Sequence, residues 1–152
     1  MLLLETAPRA VGAATRARVL GVDRNEAFLA TARAASYDAA NHQQLPRELA
    51  QRFLQPAVDG TARIVPELQA LVTFQYQDLT AGFHGGRYAL IICKNVLLHL
   101  NDEAQEHLVQ NLRASLNDDG VLVVARSEIP IVLSLGAKPH EIAPNITAFR
   151  AH

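Results

Sequence analysis

The sequence is poor in cysteine and tryptophan: among 152 residues it has one cysteine, Cys93, and no tryptophan. A single thiol excludes an internal disulfide and favours a reducing compartment, which rules out a small secreted domain held by disulfides. Because Cys93 ends an apolar run, a packed thiol is favoured over a reactive nucleophile.

Neither sign of charge dominates, since 14 Lys and Arg residues stand against 15 Asp and Glu residues. The basic residues form no stripe or cluster, which argues against nucleic acid or an anionic membrane as the main partner. No apolar run approaches the ~20 residues that a membrane span needs. Met1–Leu4 is too short and lacks the basic flank of a signal peptide. We therefore expect a cytoplasmic protein with no membrane insertion.

Several motifs of known chemistry are missing as well. The sequence contains no Gly-Xaa-Ser-Xaa-Gly elbow, no phosphate-binding loop and no Cys/His spacing typical of a metal site. Hydrolase, nucleotidase and zinc-protein hypotheses therefore have no support, and we expect no metal. With 49% hydrophobic residues, the chain is long and apolar enough for one domain with a sizeable core.

The most informative stretch lies between residues 88 and 100. Tyr88–Cys93 is continuously apolar, which is typical of a strand covered on both faces, as in a parallel sheet. Val121–Ala125 has the same character. Lys94 and Asn95 follow the first of these strands directly, at the end where open α/β sheets bind ligands.

Helices and strands alternate along the rest of the chain. A strand over 17–22 precedes a helix capped by Asn25, and a strand over 72–76 alternates in polarity. Asn101 caps another helix, which Asp119-Gly120 is expected to stop. Ile146–Phe149 is a plausible last strand. The apolar faces predicted for the two helices consist of Phe28, Leu29, Ala32 and Ala35, and of Ala104, Leu108, Leu112 and Leu116.

This alternation predicts a doubly wound, mostly parallel α/β sheet. Polar residues follow four of its strands: Asp23, Asp78, the pair Lys94-Asn95 and the pair Ser127-Glu128. Because the carboxyl ends of parallel strands share one edge of a sheet, we expect these residues to converge.

Two acids are candidate ligands for a nucleoside. Asp23 could accept hydrogen bonds from both hydroxyls of a ribose, or it could stabilise the start of the following helix, and the sequence favours neither. Asp78 could accept from an adenine amino group, but taken alone it is more typical of a turn residue.

The other candidate site residues also each have a purely structural interpretation. Lys94 and Asn95 could position the rest of a ligand, or they could be a solvated strand end. His99 is a candidate catalyst, although a histidine in an apolar stretch is more often packed in place. Ser127-Glu128 could touch substrate, and strand termination is slightly favoured.

These segments together resemble the catalytic domain of the CheR-type chemotaxis-receptor methyltransferases. Ile92–Leu100 resembles the family's Cys-Arg-Asn-Val segment and the short apolar run with a Tyr after it. Leu20–Asp23 resembles the second strand with its ribose-binding Asp, and Gln77–Leu79 the Asn-Leu pair near the adenine. Arg126–Glu128 resembles the His-Ser-Glu strand ending. An insertion at about 44–66 resembles the unit with which the family contacts its receptor.

The resemblance covers essentially the whole chain and implies S-adenosylmethionine as cofactor and receptor glutamates as substrates. It assigns the ribose to Asp23, the adenine to Asp78 and Leu79, the remainder of the cofactor to Lys94 and Asn95, and a place near the acceptor to His99. The partner would be a receptor or signalling protein.

Departures from the family pattern are as informative. Lys94 replaces Arg, Asp78 replaces Asn, and His99 stands where the family has Tyr. The glycine-rich turn after the first strand and the helical N-terminal domain are missing, and Met1–Glu5 resembles only the end of the helix after that turn. A fold that lacks its first strand exposes unpaired backbone on both neighbours of that strand.

This gap leads to three expectations. The chain would be a fragment or truncated product, a domain-swapped assembly, or a degenerate relative that has closed the gap. Association, for example a homodimer with residues 1–15 crossing between subunits, is favoured over direct pairing of the two neighbouring strands. S-adenosylmethionine should bind the chain alone weakly or not at all, and the absent glycine turn favours an enzyme that is inactive as this chain alone.

Two further hypotheses compete with a methyltransferase. The absent glycine turn favours a non-catalytic, methyltransferase-like protein-interaction module. A dinucleotide-binding fold of another kind is weaker, because its Gly-Xaa-Gly-Xaa-Xaa-Gly motif is also missing.

Overall fold

The computed structural model describes residues 2–6, 17–38, 45–57, 60–83, 86–143 and 146–150, which form two sheets and five α-helices. The strands are β1 (Leu2–Thr6), β2 (Ala17–Asp23), β3 (Ser36–Asp38), β4 (Leu54–Pro56), β5 (Thr61–Ile64), β6 (Val72–Tyr76), β7 (Tyr88–Cys93), β8 (Leu116–Val124), β9 (Pro139–Ala143) and β10 (Ile146–Arg150). The helices are α1 (Glu26–Ala34), α2 (Arg47–Phe53), α3 (Pro66–Gln69), α4 (Asp102–Ala114) and α5 (Ile129–Ser134).

The main sheet has seven strands in the order β6-β2-β1-β7-β8-β10-β9. Strands β2 and β6 are parallel, as are β7 and β8, and β1 runs antiparallel to both β2 and β7. Consequently β6, β2, β7 and β8 all point the same way and end on one edge. This arrangement confirms the predicted α/β class and the predicted convergence of strand ends. The predicted last strand is also confirmed, as β10, which is antiparallel to β8.

Strand β1 lies in the central position that the sequence left vacant. Leu2 pairs with Gly21 on one side and Ile92 on the other, and Leu3 pairs with Leu20 and Ile91. The interpretation of Met1–Glu5 as the end of a helix was wrong for the part that the structure describes. Direct pairing of β2 with β7 does not occur either. The chain fills the gap itself, which removes the reason for expecting association. Residues 7–15, the larger part of the segment expected to cross between subunits, lie outside the described residues.

The direction of β1 has a simple physical reason. Thr6 pairs with Ala17, so only residues 7–16 connect β1 to β2. Adjacent antiparallel strands need only a short connection, whereas parallel neighbours need a crossover of about a dozen residues or more, usually with a helix. A segment joined so directly to β2 therefore satisfies the backbone groups of both neighbours most readily in the antiparallel direction.

One face of the sheet packs on α4 and α5 to form the core. Asn101 caps α4 by accepting a hydrogen bond from the Ala104 amide at 2.9 Å, as the sequence predicted. Leu108 and Leu112 of α4 are fully buried, but Leu116 already belongs to β8. The other fully buried apolar side chains of the core include Ile91, Cys93, Leu97, Leu122, Val132 and Phe149.

Asp119-Gly120 does not stop α4, contrary to the prediction, because the helix ends at Ala114. Gly120 instead lies in β8, where the register with β7 shifts. A Cβ atom on Gly120 would lie 2.7 Å from the Tyr88 carbonyl oxygen and 2.9 Å from the Asn117 nitrogen. The close approach of these backbones therefore requires glycine at this position.

The first helix differs from its predicted pattern. Leu29 is buried, with 2% of its surface exposed, but Phe28 is 65% exposed. Helix α1 ends at Ala34, and Ala35 adopts a left-handed conformation with φ of 51°. The four residues predicted to share an apolar face therefore do not all contribute to it.

The small sheet has the strand order β3-β5-β4 and lies between α1 and α3 in sequence. Strands β4 and β5 are antiparallel neighbours within the predicted insertion at about 44–66. Strand β3 follows helix α1 directly and pairs antiparallel with β5. Leu45 and Leu49 are exposed, and helix α2 has no buried residue.

Cys93 is completely buried at the end of β7. Burial, together with the nearby Glu128 carboxylate, raises the pKa of its thiol to about 12. The side chain is therefore a neutral thiol near neutral pH, and the predicted packing role is confirmed. No helix within the described residues has the length and apolar character needed to cross a membrane.

We expect the substitution Leu3→Pro to open the centre of the main sheet. Proline removes a backbone N–H from a strand that is paired on both sides, and such a position does not tolerate that loss. The exposed edges of β2 and β7 should then associate. Light scattering over a concentration series should show a monomer for the unmodified chain and for Leu3→Ala, which keeps the N–H, but rising mass for Leu3→Pro. A monomeric Leu3→Pro variant with unchanged unfolding would contradict this role of β1.

Candidate functional site

A cavity of about 210 Å³ lies at the carboxyl edge of the parallel strands. Its lining comes from the ends of β2, β6 and β7 and from the segments that follow them: Val22, Asp23, Arg24, Gln77, Asp78, Leu79, Thr80, Asn95, Val96, His99 and Leu100. Asp23, Asp78, Leu79, Asn95 and His99 were predicted as site residues from the sequence and lie together here. Lys94, the sixth, is exposed and does not line the cavity.

Asp23 is the last residue of β2, and one of its carboxylate oxygens has a structural role. Oδ1 accepts a hydrogen bond from the Asn25 amide at 2.9 Å. Asn25 in turn caps α1 by accepting from the Ala27 amide at 2.9 Å. Within the described residues no group donates to Oδ2 of Asp23. The carboxylate therefore orders the start of α1 through one oxygen, and its other oxygen has no donor among the described residues, so the two interpretations of Asp23 are compatible.

Asp78 also uses one carboxylate oxygen to stabilise the turn that follows it. Its Oδ1 accepts from the Thr80 amide at 2.9 Å and from the Thr80 hydroxyl at 2.7 Å, and thereby caps the 3₁₀ turn Leu79–Ala81. These hydrogen bonds, the hydroxyl one first, lower the pKa of the carboxyl, and the positive charge of Arg24 adds to the effect. Asp78 is thus an ionised acceptor at any pH near neutrality. It is a turn residue, as the sequence favoured, and it also borders the cavity.

The opposite wall of the cavity is the segment after β7. Asn95 has a φ of 58°, in the left-handed region where Asn is one of the few side chains tolerated. The amides of Asn95, Val96 and Leu97 all point to the carboxylate of Glu128, at 3.0, 2.8 and 2.8 Å. This segment is therefore held by a side chain that does not itself line the cavity.

His99 ends the 3₁₀ turn Leu97–His99 and is exposed, so the packed interpretation of this histidine does not describe it. The turn is held from helix α4, because the Gln105 side-chain amide donates to the carbonyl oxygens of Leu97 and Leu100, each at 3.1 Å. His99 consequently reaches the cavity from a fixed backbone.

Several contributors to the site were missed from the sequence. Arg24, Gln77 and Thr80 adjoin predicted residues and could have been found by including neighbours in the chain. Glu128 was considered mainly as a strand terminator. The three amides that it binds after β7 lie 31 to 33 residues away in sequence, so no local pattern around Glu128 predicts these contacts.

A second cavity and a metal site are weaker candidates for the functional site. A larger cavity of about 520 Å³ lies beside β6, between α1 and α3, but neither Asp nor Glu lines it. It therefore lacks the carboxylates that a ribose site needs. The part of the chain that the structure describes contains no cluster of three His, Cys, Asp or Glu side chains suited to a metal ion.

Comparison with known proteins identifies the kind of domain. The family model described as the CheR methyltransferase, SAM binding domain, matches residues 1–133. A chemotaxis protein methyltransferase of Vibrio parahaemolyticus is 29% identical over 130 residues, which are 84% of this chain and 47% of that protein. A second, from Listeria innocua, is 28% identical over 72% of this chain and 42% of that protein. The chain spans about half the length of the curated relatives it matches.

A solved structure supports the fold. The O-methyltransferase family 2 protein from Planctomyces limnophilus, in complex with apigenin, aligns with a TM-score of 0.52 at 12% identity, over 88% of this chain and 42% of that one. S-adenosylmethionine is the cofactor of the matched family, as its description states. Since the family model covers most of its length, the chain belongs to the CheR methyltransferase family and contains that family's S-adenosylmethionine-binding domain.

Proposed function

We propose that the cavity at the carboxyl edge binds the adenosine part of S-adenosylmethionine, and that this chain supplies the adenosine half of a site that methylates glutamate side chains of chemotaxis receptors. The observation that carries the proposal is the pair Asp23 and Asp78. These acids end neighbouring parallel segments, line one cavity, and each uses one oxygen for its own backbone turn.

The ribose fits Asp23. A carboxylate at the end of an early parallel strand is the usual acceptor for vicinal ribose hydroxyls. The Asn25 amide fixes the carboxylate by binding Oδ1, so Oδ2 need not be reorganised when the sugar arrives. A hydrogen bond to an ionised acceptor is among the stronger kinds, which makes Asp23 the main anchor of the proposed site.

The adenine fits Asp78 and Leu79. An ionised carboxylate only accepts hydrogen bonds, so Asp78 would take one from the exocyclic amino group of the base. Leu79, the next residue along the cavity, offers an apolar surface for the ring. Since Thr80 keeps the pKa of Asp78 low, this preference for an amino group should not change over the physiological pH range.

The cofactor, when bound, supplies an activated methyl group for direct displacement by a glutamate oxygen. The contribution of the chain is to place the two reactants rather than to form a covalent bond. Asn95 and His99 form the cavity wall opposite the acids, and His99 would lie nearest the acceptor glutamate. Lys94, exposed beside them, would meet the remainder of the ligand at the rim.

The size of the cavity supports a site for part of the cofactor. Small-molecule pockets usually measure about 300–1,000 Å³, and this cavity is smaller, at about 210 Å³. The family's cradle for the methionine part follows a parallel first strand, whereas β1 is antiparallel and leaves the sheet at Thr6, beside Ala17 on the opposite edge. We propose that receptor contact involves the predicted insertion at about 44–66, which contributes α2 and the strands β4 and β5 of the small sheet.

A second candidate function has a specific observation in its favour. The reversed direction of β1 removes the strand-turn-helix unit that a complete cofactor site would use. A chain of this kind could serve as a non-catalytic module that binds a receptor or signalling protein. The two functions differ in one measurable property, the affinity of the cavity for adenosine.

We expect adenosine and S-adenosylhomocysteine to bind the chain with similar dissociation constants, because the methionine part adds few contacts. Asp23→Ala should weaken both by about tenfold or more, the effect of losing hydrogen bonds to a charged acceptor. Asp118→Ala is the matched control, since Asp118 is exposed, forms a surface ion pair with Arg87 and does not line the cavity. Calorimetry measures all of these constants. Absence of binding by the unmodified chain would contradict the proposal and favour the interaction module.

The base contact makes a separate prediction. We expect adenosine to bind about tenfold or more tightly than inosine, which has an oxygen in place of the amino group that Asp78 would accept from. The lowered pKa of Asp78 keeps the carboxylate charged above its ordinary pKa of about 3.9 and for some distance below it. The preference should therefore be constant from pH 8 to pH 5. Asp78→Ala should abolish it, and a preference that survives this substitution would show that another group reads the base.

A further inference from the structure

Glu128 is a completely buried carboxylate, the one buried charged or polar residue among the described residues. It lies in the 3₁₀ turn Arg126–Glu128 after β8. Oε1 accepts from the amides of Val96 and Leu97, each at 2.8 Å. Oε2 accepts from Asn95 at 3.0 Å and from Ala125 at 2.9 Å. Four backbone N–H groups thus converge on one side chain and join the segments that follow β7 and β8.

Burial of a carboxylate is costly unless hydrogen bonds compensate for lost water. Here the compensation comes from backbone donors that would otherwise have no partner at the turn after β7. The geometry is demanding, because three consecutive amides can meet one carboxylate only if the backbone between Asn95 and Leu97 turns sharply. The positive φ of Asn95 is that turn.

A left-handed conformation costs free energy for a residue with a side chain, and it persists only where the surroundings enforce it. Glu128 enforces the left-handed conformation of Asn95 by accepting hydrogen bonds from the N–H groups of residues 95–97. Gln105 acts from α4 on the carbonyl oxygens of Leu97 and Leu100. The cavity wall formed by Asn95, Val96 and His99 is therefore set by residues that do not line it.

We infer that Glu128 is a positioning residue for the cofactor site: by holding the amides of residues 95–97 it fixes the wall that faces Asp23 and Asp78 across the cavity. This inference rests on the proposed function, because it concerns the same cavity. It assigns Glu128 no contact with the ligand. Its consequence is that the affinity for adenosine depends on a buried acid outside the cavity.

Glu128→Gln tests the inference with almost no change of volume. A glutamine side chain has one oxygen acceptor, so its NH₂ group must face two of the four backbone N–H donors. At least one of the hydrogen bonds that position residues 95–97 is then lost. We expect adenosine binding, measured by calorimetry, to weaken by about tenfold. Leu112→Ala is the matched control: it destabilises the same core from α4, where Leu112 is fully buried, but leaves the carboxylate in place. It should change the dissociation constant of the folded protein less than about twofold.

Amide hydrogen exchange without ligand provides a second readout. Glu128→Gln should accelerate exchange at Asn95, Val96 and Leu97 far more than Leu112→Ala does. Glu128→Asp keeps the charge but is one methylene shorter and cannot reach all four donors, so it should weaken binding as well. This variant decides the test if Glu128→Gln does not fold.

The outcomes separate the two proposals. If the unmodified chain binds adenosine and the Glu128 variants bind it no more weakly than Leu112→Ala, the positioning role is wrong and the proposed function stands. Unchanged exchange at residues 95–97 in the Glu128 variants would also overturn the positioning role. If the unmodified chain does not bind adenosine, the proposed function fails and this inference fails with it.

Discussion

The structure depends on the satisfaction of backbone hydrogen bonds in the middle of the main sheet. Strands β2 and β7 are apolar and parallel, and each needs a partner on the side that faces the other. Strand β1 meets both needs at once, with Leu3 paired to Leu20 and to Ile91. Because one strand separates β2 from β7, their carboxyl ends stand two strand spacings apart, roughly 9.6 Å. That separation leaves room for the cavity between the acids and the segment after β7.

The antiparallel direction of β1 also limits how much of a cofactor the cavity can bind. A parallel first strand would deliver a turn and a helix to the carboxyl edge, where the family binds its cofactor. The antiparallel β1 instead leaves the sheet at the opposite edge, as the pairing of Thr6 with Ala17 shows. The proposed adenosine site depends on β2, β6 and β7, which all end at the carboxyl edge and are unaffected by the direction of β1. The antiparallel direction of β1 thus explains both the closed main sheet and the partial cofactor site that we propose.

Much of this could be predicted from the sequence, and the failures have physical causes. The continuous apolar run of Tyr88–Cys93 identified a buried parallel strand, and the position of Asp23 and Asp78 after strands predicted their convergence. The run Leu2–Thr6 was misassigned because a short apolar segment does not distinguish helix from strand, and its partners lie far along the chain. Glu128 was undervalued for a similar reason, since only the folded chain brings its four donors together.

The fold and the proposed site both depend on the position of Leu2–Thr6 between β2 and β7 in the antiparallel direction. Nuclear Overhauser contacts between backbone protons of the whole chain test it most directly, because antiparallel neighbours approach closely at defined residue pairs. We expect contacts from Leu3 to both Leu20 and Ile91, and none between Leu20 and Ile91, because β2 and β7 do not pair directly. Backbone contacts that join Leu20 directly to Ile91, or a Leu3 without cross-strand contacts, would contradict it.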